Sequence, residues 1–432
     1  MTDTTAASDL SPELAAEVER QRSLIMRDTL FGDDQTRITM ERELEGQLAQ
    51  SIRDDEPLRV YLGVDPTAPD LHLGHCVPLR KLRVFQQLGH TAILLIGDFT
   101  ALLGDPSDKD AARPMQAADT IARNAQTYQD QAFKLLDAEL TEVRRNSEWL
   151  AKLNFGDVIQ LASNFTVAQF AERDTFRKRL DKGEPVYLHE FMYGLMQGYD
   201  AVALEADIQI GGTDQTFNIM AGRTLQRVYG QPPQVAITFP ILVGTDGTLR
   251  MSKSTGNYIG IDEAPNEQYG KAMSIPDAIL PNFFSLGTNL PSDEVDAITA
   301  QLESGALHPM EAKKRLAHAI VTEWHSEAEA DAAAEHFTSV FSQGQIPDEI
   351  PEHALPFAKD SDSDTAPTTI TVDLATLIAG SGLAASRGEA KRIISQGGVR
   401  LNDEIVEAGD IQVTPNDILR VGRRRWLRLV AE

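Results

Sequence analysis

The sequence predicts an α/β protein whose doubly wound parallel sheet is followed by an α-helical domain and a small α+β domain. Three observations predict this order. Buried-strand patterns begin at Leu58, Thr91 and Ile208, and helical stretches separate them, as in parallel strands joined by right-handed crossovers. Residues 263–343 are mostly helical by pattern. A compact mixed segment then follows a stretch that is rich in proline and aspartate, residues 344–369.

The bulk composition indicates a soluble globular protein with two or three domains. The chain has 432 residues, of which 42% are hydrophobic and 24% are charged. Its net charge of −25 argues against non-specific binding of nucleic acid by the whole chain. The tail from Ile370 differs, because it carries nine basic and eight acidic residues. We therefore expect the tail to be the part that touches a polyanion.

Cysteine content and apolar runs predict a cytoplasmic location. One cysteine cannot form an internal disulfide, so the chain needs no oxidising compartment. The first nine residues lack the basic start and apolar core of a signal peptide. The longest apolar run, residues 92–97, is far too short to cross a bilayer.

Residues 61–75 are the stretch around which the chain is organised, because a buried strand ends there and a helix begins. Asp70 is the predicted N-cap of that helix. His72 and His75 are three residues apart and project from one face near the positive end of the helix. Gly74 between them lets a flat ring approach the backbone. This arrangement predicts a site for a nucleotide phosphate.

Spacing alone leaves other interpretations of the two histidines open. Such a pair also occurs on solvated helix faces and in hydrogen-bonded cores. A metal site is disfavoured, because zinc sites have three or four ligands and only Cys76 lies nearby.

Two further stretches have the pattern of a ligand site. The loop 97–107 follows the second strand at its carboxyl end, which is where open α/β sheets bind ligands. Lys109 and Arg113 come four and eight residues after Asp105 and either belong to this ligand site or are part of a solvated face. Residues 115–153 are predicted to be helical.

A polar face on an apolar helix suggests a second pocket wall. Tyr193, Gln197 and Asp200 are separated by four and three residues, so they share one face of a helix over residues 190–200. Further along, the strand from Ile208 ends in a glycine turn, and a helix is predicted from about residue 216 to residue 229.

Two separated motifs together resemble one family. His-Leu-Gly-His at 72–75 is similar to the first signature of the class I aminoacyl-tRNA synthetases, and Arg-Met-Ser-Lys-Ser at 250–254 is similar to the second. Within that class the chain resembles the bacterial tyrosyl-tRNA synthetases over nearly its whole length, and leans toward the second bacterial subtype. The segments that carry this resemblance are 61–67, 104–107, 193–200 and 209–215, while 386–392 and 397–402 resemble the S4 RNA-binding domain.

The resemblance implies a domain plan and a reaction. It implies a Rossmann-like catalytic domain over 1–245, a helical anticodon-binding domain over 246–343 that starts with the mobile signature loop, a linker over 344–369 and an S4-like RNA-binding domain over 370–432. The implied reaction activates L-tyrosine with ATP and transfers it to tRNA(Tyr). Mg²⁺ would arrive with ATP as substrate, and neither a resident metal nor a tightly bound cofactor is expected. The family is dimeric, so a homodimer is expected.

The resemblance also assigns roles to individual residues. Arg250 replaces the commoner lysine at the start of the second signature and keeps its charge. The implied sets are: catalytic, Thr67, His72, His75, Arg250 and Lys253; ATP-binding, Gly74, Gly212, Asp214 and Lys253; tyrosine-binding, Tyr61, Asp65, Asp105, Tyr193, Gln197, Asp200 and Gln215; RNA-binding, Arg387, Lys391, Arg392 and Arg400. Tyr61 and Asp200 are the pair expected to contact the substrate hydroxyl.

Three other functions remain to be compared with this one. The tryptophanyl relative shares the fold and both signatures, but Tyr61 with Asp200 and the S4-like tail argue against it. An RNA-binding or splicing accessory protein would need only the tail, whereas His72, His75 and Lys253 are intact here. Another nucleotidyltransferase would lack the second signature and the tail.

Overall fold

The chain forms two compact units, residues 1–330 and 331–432, in a computed structural model. The described residues are 11–67, 70–106, 117–342, 350–357, 369–402, 404–406, 409–422 and 425–431. Lys109, Arg113 and most of the stretch predicted to be a linker lie outside them. Within the part of the chain that is described, no helix has the length and apolar content needed to span a membrane.

A five-stranded parallel sheet is the centre of the first unit. Its strands are β1 (Arg59–Val64), β2 (Thr91–Ile96), β3 (Thr141–Arg145), β4 (Ile208–Gly212) and β5 (Val235–Phe239). They lie in the order β3-β2-β1-β4-β5, and every neighbouring pair is parallel. Successive strands are therefore added on one side of β1 as far as β3 and then on its other side from β4. The strand order thus reverses between β1 and β4. A crevice forms at such a reversal, at the carboxyl ends of the strands.

Helices cover the sheet and build the rest of the first unit. They are α1 (Pro12–Met26), α2 (Asp34–Asp54), α3 (Leu73–Gln87), α4 (Thr100–Leu103), α5 (Ala118–Ala132), α6 (Ser147–Leu150), α7 (Phe155–Ala162), α8 (Val167–Ala171), α9 (Asp174–Asp181), α10 (Leu188–Leu204), α11 (Thr216–Val228), α12 (Pro265–Met273), α13 (Leu280–Gly287), α14 (Ser292–Glu303) and α15 (Pro309–Trp324). Helix α16 (Glu327–Phe337) contains the division between the units. The doubly wound fold and the helical region after it are confirmed.

The prediction of continuous helix over residues 115–153 is wrong. Residues 141–145, Thr-Glu-Val-Arg-Arg, form β3 at the edge of the sheet, with every residue only half-buried. An edge strand has one neighbour and much solvent contact, so it needs no apolar run, and its sequence resembles that of a surface helix.

The predicted start of α3 is also wrong. The helix begins at Leu73, and His72 rather than Asp70 is the residue before its first turn. His72 is extended, with φ −129° and ψ 169°. It forms an antiparallel bridge with Gly260, and the Leu73 N–H donates to the Ile259 carbonyl at 3.0 Å. A distant segment thus holds this backbone extended, which local sequence could not indicate.

The second unit is a small α+β domain. Its helices are α17 (Leu374–Gly380) and α18 (Arg387–Ser395), and its strands are β6 (Glu352–Leu355), β7 (Ile370–Asp373), β8 (Val399–Leu401), β9 (Glu404–Ile405), β10 (Asp410–Val413), β11 (Ile418–Val421) and β12 (Arg425–Ala431). One sheet has the order β6-β12-β11-β8-β9, and β10 pairs with β7. The prediction of a linker fails for residues 352–355, because β6 pairs in parallel with β12 and extends this sheet.

Candidate active site

A cavity of about 1090 Å³ opens where the strand order of the parallel sheet reverses, between β1 and β4. The ends of β1 and β4, the start of α3, one face of α10 and residues 249–255 line it. Fourteen of the fifteen residues predicted for catalysis, ATP and tyrosine are on its wall, namely Asp65, Thr67, His72, Gly74, His75, Asp105, Tyr193, Gln197, Asp200, Gly212, Asp214, Gln215, Arg250 and Lys253.

Two stacked imidazoles stand at the amino end of α3. The His72 and His75 rings are 3.8 Å apart between centroids, and the backbone N–H of His72 donates to the His75 Nδ1 at 3.2 Å. Burial lowers the pKa of His72 to about 2 and that of His75 to about 3. Both rings are therefore neutral at pH 7, so they can donate an N–H to a phosphate but add no charge.

Gly74 keeps this corner of the cavity open. A Cβ added there would meet the His72 ring at 3.1 Å and the Met251 side chain at 3.8 Å. Met251 belongs to the second motif, so the two motifs lie face to face across Gly74. The distant segments 72–75 and 250–254 therefore share one cavity.

Two cations from the second motif supply the positive charge that the histidines lack. The Lys253 Nζ lies 2.6 Å from a carboxylate oxygen of Asp70, and Arg250 lies 3.1 Å from Asp214. Three of these four side chains are between 24% and 49% exposed, and Asp214 is 18% exposed. The phosphates of an arriving ligand can thus replace these carboxylates as partners of the two cations.

A polar network lies at the other side of the cavity. The Tyr193 hydroxyl donates to Asp65 at 2.9 Å, and Thr100 donates to the other Asp65 oxygen at 2.8 Å. Gln215 donates to Asp105 at 2.6 Å. These contacts fix two carboxylates on the cavity wall, where they can bind an ammonium group.

Asp200 is the buried carboxylate at the far end of the cavity. The Trp149 indole N–H donates to one of its oxygens at 2.8 Å, and the Asn146 amide donates to the other at 3.3 Å. Burial raises the pKa of Asp200 to about 8, and these two hydrogen bonds act in the opposite direction. A phenol hydroxyl can form a hydrogen bond with such a carboxylate and is itself uncharged, so no second charge has to be buried.

Tyr61 is the one predicted site residue that does not line the cavity. Its ring is fully buried against Ile93, Leu95 and Ala201. Burial, followed by the nearby charge of Asp200, raises the pKa of its hydroxyl well above the ordinary value. The Tyr61 hydroxyl is thus near Asp200, and the direct contact of Tyr61 with the substrate hydroxyl stays a prediction.

Comparison with known proteins gives the family. The model of the family described as tRNA synthetases class I (W and Y) matches residues 53–342, and that of the S4 domain matches residues 374–419. The chain belongs to the class I tRNA synthetases of the W and Y type. Both domain types were predicted from the motifs.

Relatives of this class I synthetase match it over most of their length. It is 47% identical over 419 residues to a tyrosine–tRNA ligase of Carboxydothermus hydrogenoformans, covering 96% of this chain and 99% of that one. It is 48% identical over 394 residues to that of Geobacter sulfurreducens, covering 91% and 95%. A solved tyrosyl-tRNA synthetase of Archaeoglobus fulgidus, complexed with L-tyrosine, has a TM-score of 0.57 over 73% of this chain and 99% of that chain, at 23% identity. That last likeness shows the shared fold.

Sequence reasoning missed two residues of the synthetase cavity, Thr100 and Asn146, and also Trp149, which donates to Asp200. Thr100 orders Asp65, and the other two hold Asp200. Asn146 directly follows β3, so recognition of that strand would have pointed to it through the rule that ligands bind at strand ends.

The four residues predicted to bind RNA are exposed on the second unit, and Arg387 pairs with Asp373 at 2.8 Å. Arg387, Lys391 and Arg392 lie on α18, and Arg400 lies on β8. Arg400 faces Arg420 across the β8–β11 ladder, and the Arg420 guanidinium lies 4.6 Å from the centre of the Trp426 ring. Their role in binding RNA stays a prediction.

Proposed function

We propose that this synthetase joins L-tyrosine to ATP in the cavity, forming tyrosyl-adenylate and pyrophosphate, and then transfers the tyrosyl group to the 3′ end of tRNA(Tyr). The observation that carries the proposal is the pairing of two distant motifs, 72–75 and 250–254, at one end of a cavity whose other end holds the buried carboxylate of Asp200. Nucleotide and amino acid would lie side by side between them.

Activation needs position and charge rather than a base. A carboxylate oxygen of tyrosine forms a bond to the α-phosphorus, the bond from that phosphorus to the bridging oxygen breaks, and pyrophosphate leaves with the electron pair. The attacking carboxylate is already ionised at neutral pH. Catalysis then consists of alignment and of stabilising charge on the departing phosphates. Lys253 and Arg250 supply charge and the neutral His72 supplies an N–H, while Thr67 provides a further hydrogen-bond donor. Mg²⁺ bound to ATP as part of the substrate would add positive charge.

The nucleoside part of ATP has its own positions in this proposal. Gly74 and His75 would pack against the nucleoside, and Asp214 with Gly212 beside it would hold the ribose. The described residues contain no group of three or more histidine, cysteine or acidic side chains arranged to hold a metal.

Recognition of tyrosine would depend on hydrogen bonds at both ends of the amino acid. Asp200 accepts from the phenol, while Tyr193, Gln197 and Asp65 face the ammonium group. Asp105 and Gln215 complete the wall at the reacting end. Phenylalanine in the same cavity would leave the buried Asp200 without its partner, which costs more than a missing apolar contact.

Binding of tRNA would use the rest of the chain. The exposed basic surface around Arg387 and Arg400 would bind phosphates by releasing counterions. The helical region over residues 246–343 would contact the anticodon, and the segment after residue 249 would close over ATP. The chain would work in the cytoplasm, where its buried, unpaired Cys76 meets no oxidising conditions.

A homodimer would use the exposed apolar side chains of α7, α8 and the start of α10. Phe155, Ile159, Val167 and Leu188 are between 56% and 80% exposed. Phe170 of α8 contacts Phe191 of α10, with ring centroids 5.3 Å apart. An apolar patch of this kind marks an interface, and a second copy is the proposed occupant. Leu188→Asp should yield monomers in analytical ultracentrifugation, and an unchanged dimer would contradict this interface.

The experiment that tests the function is amino-acid-dependent exchange of labelled pyrophosphate into ATP with tyrosine, tryptophan or phenylalanine. Exchange with tyrosine alone is expected. Exchange mainly with tryptophan would favour the tryptophanyl relative, and no exchange with any of the three would favour an RNA-binding protein or another nucleotidyltransferase.

A further inference from the structure

Helix α5 has three buried side chains with polar groups on one face. Asn124, Tyr128 and Gln131 are separated by four and three residues, so they lie on the same side of the helix. They are 8%, 3% and 4% exposed. A buried amide is stable only when its polar atoms form hydrogen bonds, so the partners of Asn124 and Gln131 indicate what this face does.

Two of these side chains contact the chain at and before the motif 72–75. The Asn124 amide donates to the Pro66 carbonyl at 3.0 Å. The Tyr128 ring meets the His75 ring edge to face, with centroids 5.9 Å apart. This face of α5 therefore packs against the segment that carries the two histidines.

Gln131 contacts the residue that directly precedes His72. Its side-chain oxygen accepts from the backbone N–H of Leu71 at 2.5 Å. Its side-chain nitrogen donates to Asp262 and lies 3.5 Å from Asp70. A contact as long as the one with Asp70 is weak, so the bonds to Leu71 and Asp262 hold the amide in place.

The backbone N–H groups of residues 71, 72 and 73 have three different partners. Gln131 accepts from the first, the His75 Nδ1 accepts from the second at 3.2 Å, and the Ile259 carbonyl accepts from the third at 3.0 Å. Without Gln131 the first of these N–H groups would be buried and unpaired, so its peptide group would turn toward another acceptor. The His72 ring would move with it. A misplacement of about 1 Å in an active site can lower a rate by about 10²-fold.

We propose that Gln131 is a positioning residue for activation, which holds the His72 imidazole where its N–H meets the phosphates of ATP. This inference rests on the proposed function, in which His72 contacts those phosphates. Gln131 does not line the activation cavity, the one that holds His72 and Asp200. It therefore acts through the backbone of Leu71 and not by touching ATP.

Gln131→Met tests the proposal, with Gln126→Met as the matched control. Both glutamines are on α5, but Gln126 is exposed and donates to Asp130 of the same helix. Methionine keeps an unbranched side chain of similar length and removes the hydrogen bonds. The rate of adenylate formation in single-turnover kinetics should fall by about tenfold or more in Gln131→Met. The dissociation constant for tyrosine should stay within about twofold, since the amino acid binds elsewhere in the cavity. The control should match the unsubstituted enzyme in both measurements.

The same substitution in a His72→Ala background separates positioning from general packing. Gln131→Met should then change the rate by less than about twofold, because the ring that it positions is absent. A further loss of about tenfold in this background would overturn the proposal, since the two sites would then act independently. A loss of tyrosine affinity as large as the loss of rate would also overturn it, because Gln131 would then support the whole cavity.

Gln131→Glu gives a second variant, which keeps the acceptor for Leu71 in a side chain of the same shape. The nearby carboxylates of Asp70 and Asp262 favour its protonated form, which keeps a donor for Asp262. Its rate of adenylate formation should stay within about threefold of that of the unsubstituted enzyme. A rate as low as that of Gln131→Met would overturn the proposal. Failure of the unsubstituted enzyme to exchange pyrophosphate with tyrosine would instead refute the proposed function itself.

Discussion

The two ends of the activation cavity are built differently. At the phosphate end, Lys253 and Arg250 are paired with carboxylates, and these pairs are partly exposed to solvent. At the phenol end, Asp200 is buried and held by neutral donors from Trp149 and Asn146. The phosphate end must exchange ion-pair partners when ATP arrives, whereas the phenol end is ordered before tyrosine arrives.

Energetics explains the difference. A solvent-exposed ion pair contributes only about 0–1 kcal/mol, so the exchange of Asp70 for a phosphate costs little. A buried carboxylate is costly to ionise, which the raised pKa of Asp200 reflects. The free-energy cost of burying Asp200 is therefore offset only by a ligand that forms a hydrogen bond with it, and this favours tyrosine over an amino acid without a hydroxyl group.

The largest effect is expected for Lys253→Ala at the phosphate end. The rate of adenylate formation should fall by about 10²–10³-fold, because a charge aimed at the transition state is lost. The dissociation constant for tyrosine should change by less than about threefold, since the amino acid binds elsewhere in the cavity. Pre-steady-state kinetics and equilibrium dialysis separate these quantities, with Lys134→Ala as the surface control. Equal losses in both would contradict the assigned role of Lys253.

Asp200→Asn is the corresponding change at the phenol end. The preference for tyrosine over phenylalanine, measured as the ratio of kcat/KM values in pyrophosphate exchange, should fall by about 10–100-fold because the carboxyl partner of the phenol is lost. An unchanged ratio would mean that the phenol lies elsewhere.

Trp149→Phe tests whether the donors to Asp200 matter while the ring is kept. The kcat/KM for tyrosine should fall by about 5–20-fold, because loss of the 2.8 Å hydrogen bond leaves Asp200 free to turn and harder to ionise. Restoration of the tyrosine rate at higher pH would support this explanation. A loss that is the same at every pH would point to packing instead.

Asp200 also predicts a pH dependence of stability. The pKa of its carboxyl is about 8 in the folded chain against an ordinary value of 3.8, so the folded state keeps a proton that the unfolded state releases between these pH values. Its contribution to the free energy of unfolding is present at low pH and is lost as pH rises through about 8. The Tm of Asp200→Asn minus that of the unsubstituted chain should therefore increase from pH 5 to pH 8. A difference that decreases over this range would refute the raised pKa.

The smallest effect is expected for Asp70→Asn. Removal of the 2.6 Å partner of Lys253 should lower the KM for ATP by about two- to threefold, because ATP no longer competes with a carboxylate. The Tm should hardly change, since the pair is partly exposed. A raised KM would mean that Asp70 helps to hold ATP.

Sequence patterns predicted the parts of the fold in which local signals and burial coincide. Strands β1, β2 and β4 were found because they are short apolar runs that end in turn residues. Strand β3 was missed because an edge strand needs no such run, and Asn146 and Trp149 were missed with it. The start of α3 was misplaced because residues 259–260 hold His72 extended.

The sequence predicted the positions of site residues that share one motif or one helix face. It did not predict positions that depend on how another element packs against them. The spacing of Tyr193, Gln197 and Asp200 placed all three on one cavity wall. The burial of the Tyr61 ring depends on how α10 packs over β1. Only the tertiary packing shows that arrangement.

A crystal structure with a non-hydrolysable tyrosyl-adenylate analogue tests the central claim most directly. The account predicts the phenol oxygen within about 3 Å of Asp200, and the Lys253 Nζ moved from Asp70 onto the phosphate. A phenol turned away from Asp200, or Lys253 still paired with Asp70 and far from the phosphate, would contradict it.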